Sequence, residues 1–431
     1  MLNKVLIISH NSISVNQNMG KTLGNLFSGY KVDELAQLYF YPSIPPQNKC
    51  KDFYRITDND IYMRLLRRKE TCGGPIYPVS DEEKLYDSII LKKKYTFFKK
   101  YRSRLLVFRD IIWRNRYWNS EDLKIWLKKV SPDVIFFAAG DSIFSYRITL
   151  HLARMMEIPI VVYFCDDFYT HYSIISVIGK IHHLILKRYI RKICHISRKQ
   201  IFITDELNRM YKIFCDREGY VIRTPICLKR IKEKKISKPL IVSFFGNITL
   251  NRWRTLYSLA TAIKRVNEND VKVILNIYSS CEDKKIINKL TIDNSSFFKG
   301  FVNKREMVLR IQESDVLLHV ESFKSKDIKR VKSSFSTKLS DYLSVERVIL
   351  GVGPLDVASL SFLSELNLGY IINQESLIYE NLRDFVNNFG YYQRKYGKRT
   401  ENFINNNSIK KNSVIMKSIL NKGTDNENYA N

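Results

Sequence analysis

No uninterrupted run of about 18 apolar residues occurs in the 431-residue chain, so no membrane-spanning helix is expected. The opening residues, Met1–Ser9, carry too short an apolar run for a signal peptide. Cysteine is sparse: the seven thiols are odd in number, scattered, and form no Cys-x-x-Cys pair. That argues against a disulfide or zinc framework and for reduced thiols in a cytoplasmic protein. After the strand-like run 160–164 the acid pair Asp166 and Asp167 is adjacent, and adjacent side chains of an extended segment point apart. Acidic residues are short as well, 43 against 71 Lys and Arg, which leaves a formal charge of +28. Such a field favours anionic partners: nucleotide sugars, acidic lipid headgroups or nucleic acid. No stacking or recognition motif accompanies the charge, so nucleic acid is not the expected partner.

The length suits two domains, each with a core of its own. Strand-like apolar runs alternate with helical patterns throughout, which predicts an α/β fold on parallel sheets. In the first half the strands read at Val5–Ser9, Val134–Phe137, Ile160–Phe164 and Ile201–Thr204. In the second half they read at 240–245, 273–278, 316–320 and 348–351. Ser120 reads as an N-cap, with Glu121 and Asp122 in the first turn of a helix ending at Val130. Residues 228–239 are charged and aperiodic and read as a linker. The expected division is 1–227, linker 228–239, 240–400, a final helix within 401–420, and a polar tail at 421–431.

Chemistry concentrates in the second half. The segment Ser336–Leu343 opens a helix with hydroxyls at Ser336 and Thr337, a cation at Lys338 and a carboxylate at Asp341. A helix start of this composition attracts an anion, and an aspartate one turn on can accept from sugar hydroxyls. Upstream, the buried strand 240–245 runs into Gly246 and Asn247, and Arg252 follows near the start of the next helix. Glycine there allows a sharp turn and close approach to a ligand; arginine can grip a diphosphate with two donors. Glu321, just after strand 316–320, sits at a similar rim position, or pairs as a surface carboxylate with Lys324 or Lys326. In the first half, Gly20 lies in the turn after the first strand; the absence of an upstream glycine means that it is not a P-loop. Asp166 and Asp167 follow strand 160–164 and either orient an acceptor hydroxyl and act as base, or cap the next helix.

The ordered set of segments resembles the GT-B glycosyltransferases of the family 4 type, in particular those of bacterial surface-polysaccharide pathways. It comprises Lys4–Ser9, Pro132–Phe137, Ile158–Tyr163, Ile201–Asp205, Phe245–Asn247, Lys299–Val302, Ser314–Leu318 and the run around Ser336–Asp341, and spans about residues 1–375. The resemblance implies two Rossmann-like domains facing a cleft. The second would hold a nucleotide sugar, the first an acceptor, and the final helix would return to the first domain. It implies a retaining transfer, with no obligatory metal and no cofactor beyond the nucleotide-sugar substrate, to a glycan or lipid-linked acceptor, and it sets Gly20 in the loop that faces the donor phosphates. Several positions depart from the family pattern. Asn247 stands where that pattern has arginine, and Arg252 where it has lysine. Ser333 replaces the first of two glutamates, while Phe335 keeps the aromatic position and Asp341 takes the second. Asp341 is thereby implied to bind the nucleotide ribose, and Lys338 is expected to supply the charge missing at Asn247. Other readings are an epimerase of the same fold, a non-catalytic binding module, or a nucleic-acid-binding basic protein.

Two basic segments stand apart. Residues 92–118 hold ten Lys or Arg between Lys92 and Arg116, interleaved with aromatics, and residues 181–199 form a second basic-apolar helix. Both are expected to lie on an anionic membrane surface, which would make the protein peripheral on the inner face of the plasma membrane. The alternative has their aromatics facing the core.

Overall fold

Continuous runs of branched and aromatic residues become strands buried on both faces. The computed structural model describes residues 4–14, 18–46, 48–68, 70–77, 107, 109–170, 177–215, 219–223, 236–345 and 347–421. It divides the chain into two compact units, Met1–Thr224 with Ile409–Asn431, and Pro225–Ser408.

The sheet of the first unit contains β1 Val5–Ser9, β2 Leu35–Tyr39, β3 Asp52–Arg55, β4 Gly74–Ile76, β5 Val134–Ala138, β6 Ile160–Phe164, β7 Lys199–Phe202 and β8 Tyr220–Val221. Its order is β4-β3-β2-β1-β5-β6-β7-β8, parallel except for β4, which runs antiparallel on β3. The second sheet contains β9 Leu240–Phe245, β10 Val273–Tyr278, β11 Ser296–Gly300, β12 Val316–Val320, β13 Val348–Val352 and β14 Tyr370–Ile372. It is parallel throughout, in the order β11-β10-β9-β12-β13-β14. Each is a doubly wound, Rossmann-like arrangement. The strand order reverses between β1 and β5 in one unit and between β9 and β12 in the other, and ligands bind at the carboxyl ends of such pairs.

Both reversals are locked at their amino ends in the same way. Asp133, just before β5, accepts from the Lys4 amide through Oδ2 at 2.9 Å and returns its own amide to the Lys4 carbonyl at 2.8 Å. Asp315, just before β12, does the same to Ile241, at 2.8 and 2.9 Å. Two layers of helices enclose the second sheet. One core takes in Leu256, Leu259, Ile263, Leu382 and Phe385; the other, on the opposite face, takes in Phe245, Leu339, Tyr342, Leu363 and Ile404.

Three expectations are corrected. The chain returns to the first unit at Ile409, not at residue 401, because the helix Phe389–Asn406 buries Tyr396 and Ile404 in the two cores of the second unit. The strand expected at Ile201–Thr204 starts at Lys199. Most of segment 92–118 lies outside the described residues, but within its described part Trp113 and Trp118 are fully buried. Trp113 stacks on Phe144 at 4.0 Å, so these rings serve the core and not a membrane. Most of linker 228–239 also lies outside the described residues, as does the tail beyond Asn421.

The helix Ile409–Leu420 is integral to the first unit. The Arg198 guanidinium donates to the carbonyls of Ile419 and Leu420, both at 3.1 Å, and Lys417 pairs with the buried Glu34 at 3.6 Å. Met416 is fully buried. Met416→Ala is expected to destabilise the first unit by about 2–5 kcal/mol in denaturant unfolding. A loss below about 0.5 kcal/mol, the range of an uninvolved surface site, would show that this helix is not part of that core.

Candidate functional site

The reversal point of the second unit carries the most unusual chemistry. β9 and β12 stay paired through Phe244 and Leu318 and then part, leaving the last residues of both strands without each other's ladder. Glu321 immediately follows β12 and is buried. Its amide donates to the Val352 carbonyl at 2.9 Å, and its carbonyl accepts from the Thr255 hydroxyl at 3.1 Å. Gly353 (φ +147°), at the end of β13, makes room for it: a Cβ there would lie 3.0 Å from the Glu321 carbonyl oxygen and 3.1 Å from its Cβ.

The Glu321 carboxylate meets Arg252, the first residue of the helix Arg252–Val266. Nε donates to Oε2 at 2.9 Å and an Nη2 hydrogen to Oε1 at 3.0 Å. This is a side-on bidentate pair, in which the carboxylate takes the Nε–Nη2 edge of the guanidinium. The Nη1 edge points away from Glu321, and among the described residues no other hydrogen bond or ion pair engages the guanidinium. Burial pushes the Glu321 carboxyl up, and the charge and hydrogen bonds of Arg252 oppose that rise. The alternative pairing of Glu321 with Lys324 or Lys326 does not occur, because the side chain turns inward to the arginine.

The loop before Arg252 is strained. Leu250 and Asn251 both adopt φ +54°, a left-handed conformation that costs a non-glycine residue about 1–3 kcal/mol. The loop is held by its surroundings: Asn251 donates through Nδ2 to Asp327 at 2.8 Å, and Asp327 also accepts from the Ser322 hydroxyl at 3.0 Å. Gly246 was expected to make the turn, yet it lies outside the left-handed region, and a Cβ there would meet only the Phe244 ring, at 3.4 Å. Leu250 and Asn251 make the turn instead. Asn247 is exposed and uses its Oδ1 to accept from the Thr249 amide at 2.7 Å.

His319 was missed in the sequence. It is buried in β12, with Nε2 2.9 Å from the Ser359 hydroxyl and 3.8 Å from the Glu321 carboxylate. Burial, reinforced by the positive charge of Arg252, pushes its imidazole down to about 3, so it stays neutral at physiological pH. Asn251, Ser322 and Asp327 were missed too, since nothing local in the sequence links them.

The segment Ser336–Asp341 opens a helix, as expected, but a short one. Thr337 does begin a helix, but Thr337–Leu343 is only seven residues, and Ser336 makes no side-chain cap. So short a helix offers little macrodipole. Lys338 Nζ lies 3.4 Å from the Met307 sulfur. Asp341 is partly exposed, and Ser333 is buried. The same helix reaches β9 through Tyr342, whose hydroxyl lies 3.2 Å from the Phe245 amide. The Arg252 helix and the Lys338 helix therefore flank the end of β9 from opposite faces of the sheet.

In the first unit the predicted residues divide. Asp167 accepts from the amides of Tyr169 and Thr170 through Oδ1, both at 2.9 Å, and from the Thr170 hydroxyl through Oδ2. Its carboxylate closes its own turn, which leaves little of it for acid–base work. Asp166 accepts from the Asp167 amide at 2.9 Å and stays partly exposed. Gly20 is a packing glycine: a Cβ would lie 2.3 Å from the Ser12 carbonyl oxygen, so its place is set by backbone contact.

No protein-family model and no curated protein sequence matches the chain. Solved structures do match it along nearly its whole length. Anabaena Alr3699/HepE in complex with UDP is 10% identical, with a TM-score of 0.59 over 96% of this chain and 98% of that one. TarM is 11% identical, with a TM-score of 0.62 over 98% and 99%. WaaG, a glycosyltransferase involved in lipopolysaccharide biosynthesis, is 10% identical, with a TM-score of 0.53 over 97% and 100%. At such identities the likeness is one of fold, and it agrees with the GT-B architecture expected from the sequence.

The neutral His319 gives a test of the site's electrostatics. In the unfolded chain an imidazole takes a proton below about pH 6.5; in the folded one His319 does so only near pH 3. The unfolded state therefore binds more protons in that window, and stability falls as pH drops through it, by about 5 kcal/mol at most. Denaturant unfolding of His319→Gln is expected to show a shallower loss between those limits than the wild type. An identical pH slope would mean that His319 is not held neutral.

Proposed function

We propose that this protein is a retaining glycosyltransferase that takes a sugar from a nucleotide-sugar donor to a glycan or lipid-linked acceptor in surface-polysaccharide synthesis. The observation that carries the reading is Arg252 at the strand-order reversal, aligned by the buried Glu321 with its other edge unengaged. A guanidinium held in this way suits a diphosphate, whose charge grows as the glycosidic bond to the sugar breaks. The departing sugar passes through an oxocarbenium-like state, and the arginine lowers its energy by stabilising the leaving group. Support comes from HepE, a neighbour in fold, whose structures are of complexes with UDP, with UDP and glucose, and with UDP-glucose. In this reading Lys338 adds a second positive charge, Asp341 holds the ribose, Asn247 and Gly246 line the donor side, and Asp166 faces the acceptor. No cofactor takes part, and the protein works in the cytoplasm.

Purified protein supplied with membrane extract and a panel of UDP-, GDP- and dTDP-sugars is expected to release nucleotide from one donor class. Arg252→Ala should lower kcat/KM at least about 100-fold, the size seen when a charge-stabilising donor is removed. Glu321→Gln should cost about tenfold, since it keeps the shape but weakens the hold on the guanidinium. Nucleotide release without any acceptor would favour the epimerase. Neither release nor donor binding would remove the case for catalysis.

A further inference from the structure

Asp327 lies in the first turn of the helix Ser325–Val331 and is buried. An acid in a first turn ordinarily serves its own helix, by facing the positive end of the macrodipole. This one reaches two other segments instead. Asn251, the residue before Arg252, donates to its Oδ2 through Nδ2 at 2.8 Å, and Ser322, the residue after Glu321, donates to the same oxygen through its hydroxyl at 3.0 Å. A single carboxylate oxygen thus holds the chain neighbours of both members of the ion pair. Both donors are oriented for it. The Asn251 Oδ1 accepts from Arg254 Nε at 3.2 Å, which turns the amide nitrogen toward Asp327. The Ser322 oxygen accepts from the Lys324 amide at 3.1 Å, which leaves its hydrogen for Asp327. A buried carboxylate is costly unless it receives such bonds, and as an acceptor only it suits a point where two donors meet.

We infer that Asp327 is a positioning residue for donor binding: by holding Asn251 and Ser322 it keeps Arg252 and Glu321 in register, so that the second edge of the guanidinium stays aimed at the diphosphate. The inference rests on the donor reading above, in which Arg252 receives that diphosphate. The bond to Asn251 falls where the backbone is strained, at φ +54°. Once released, that residue would relax toward an ordinary conformation and rotate the start of the Arg252 helix with it. Arginine recognises a diphosphate by the direction of its hydrogen bonds, so a rotated guanidinium loses affinity while keeping its charge.

The test is calorimetric titration of the full chain with UDP, GDP and dTDP, below the thermal midpoint of every variant. The wild type is expected to bind one of the three. Asp327→Ala should weaken that binding about tenfold, the effect of losing one hydrogen bond to a charged group. Asn251→Gly should weaken it to a similar degree with little change in the thermal midpoint, because the strain relieved offsets the bond lost. Asn251→Asp should weaken it as well, by setting carboxylate against carboxylate. Combining Asn251→Asp with Asp327→Asn should restore it, since aspartate also tolerates the left-handed conformation and the exchanged amide offers two hydrogens where the oxygen accepted two. Wild-type affinity in both Asp327→Ala and Asn251→Gly, with binding weakened in Arg252→Ala, would overturn the inference and leave the donor reading standing. Failure of the exchange to restore affinity would overturn it too. A wild type that binds none of the three nucleotides would remove the donor reading, and the inference with it.

Discussion

The candidate site is organised around one buried ion pair. Arg252 opens the helix after β9 and Glu321 follows β12, and the two side chains meet where those strands have parted. A carboxylate buried without its arginine is a cost of several kcal/mol, so the pair constrains everything that brings the two together. The left-handed Leu250 and Asn251 are tolerated because they deliver Arg252 to the carboxylate. Asp327 holds the loop from one side, Thr255 holds the Glu321 backbone from the other, and Gly353 stays bare to admit it. His319 remains uncharged beneath the pair because burial disfavours its cation and the charge of the arginine adds to that.

The architecture supplies the position and the pair supplies the chemistry. In both units an aspartate ties the two central strands at their amino ends, so the strands are fixed below and free to diverge above. In the second unit the divergence is filled by an arginine and a buried acid. The first unit has its own buried pair, Asp110 with His182 at 2.7 Å, but Asp110 also accepts from the Phe144 amide and so starts a helix. Similar folds in the two halves thus carry different contents, as expected when function belongs to the site and not to the scaffold.

Much of the fold was legible because strands buried on both faces need largely apolar runs. β1, β5, β6, β9, β10, β12 and β13 all announce themselves in this way. β3, β4, β8 and β14 do not. They are two to four residues long, too short to show a pattern of their own. The site was legible in pieces. Arg252 and Glu321 could each be picked out, one from its place at a helix start and the other from its place after a strand. Their partnership spans 69 residues and leaves no local trace. The turn was assigned to Gly246 because glycine is the usual residue for it, whereas the structure forces a leucine and an asparagine into the conformation instead. Lys338 was read by its position at a helix start, but its side-chain contact was set by Met307, which lies on a different helix.

The helix Ile409–Leu420 has a consequence in time. The ribosome releases all eight strands of the first unit before it makes the second, yet the piece that completes the first unit is made after both. Until then Arg198 has no carbonyls to hold, Glu34 lacks its lysine, and the place of Met416 is empty. A chain broken off anywhere in the second unit therefore carries an unfinished first unit as well. The error is displayed on the part of the molecule that was made first, as exposed apolar surface of the kind that chaperones and proteases act on.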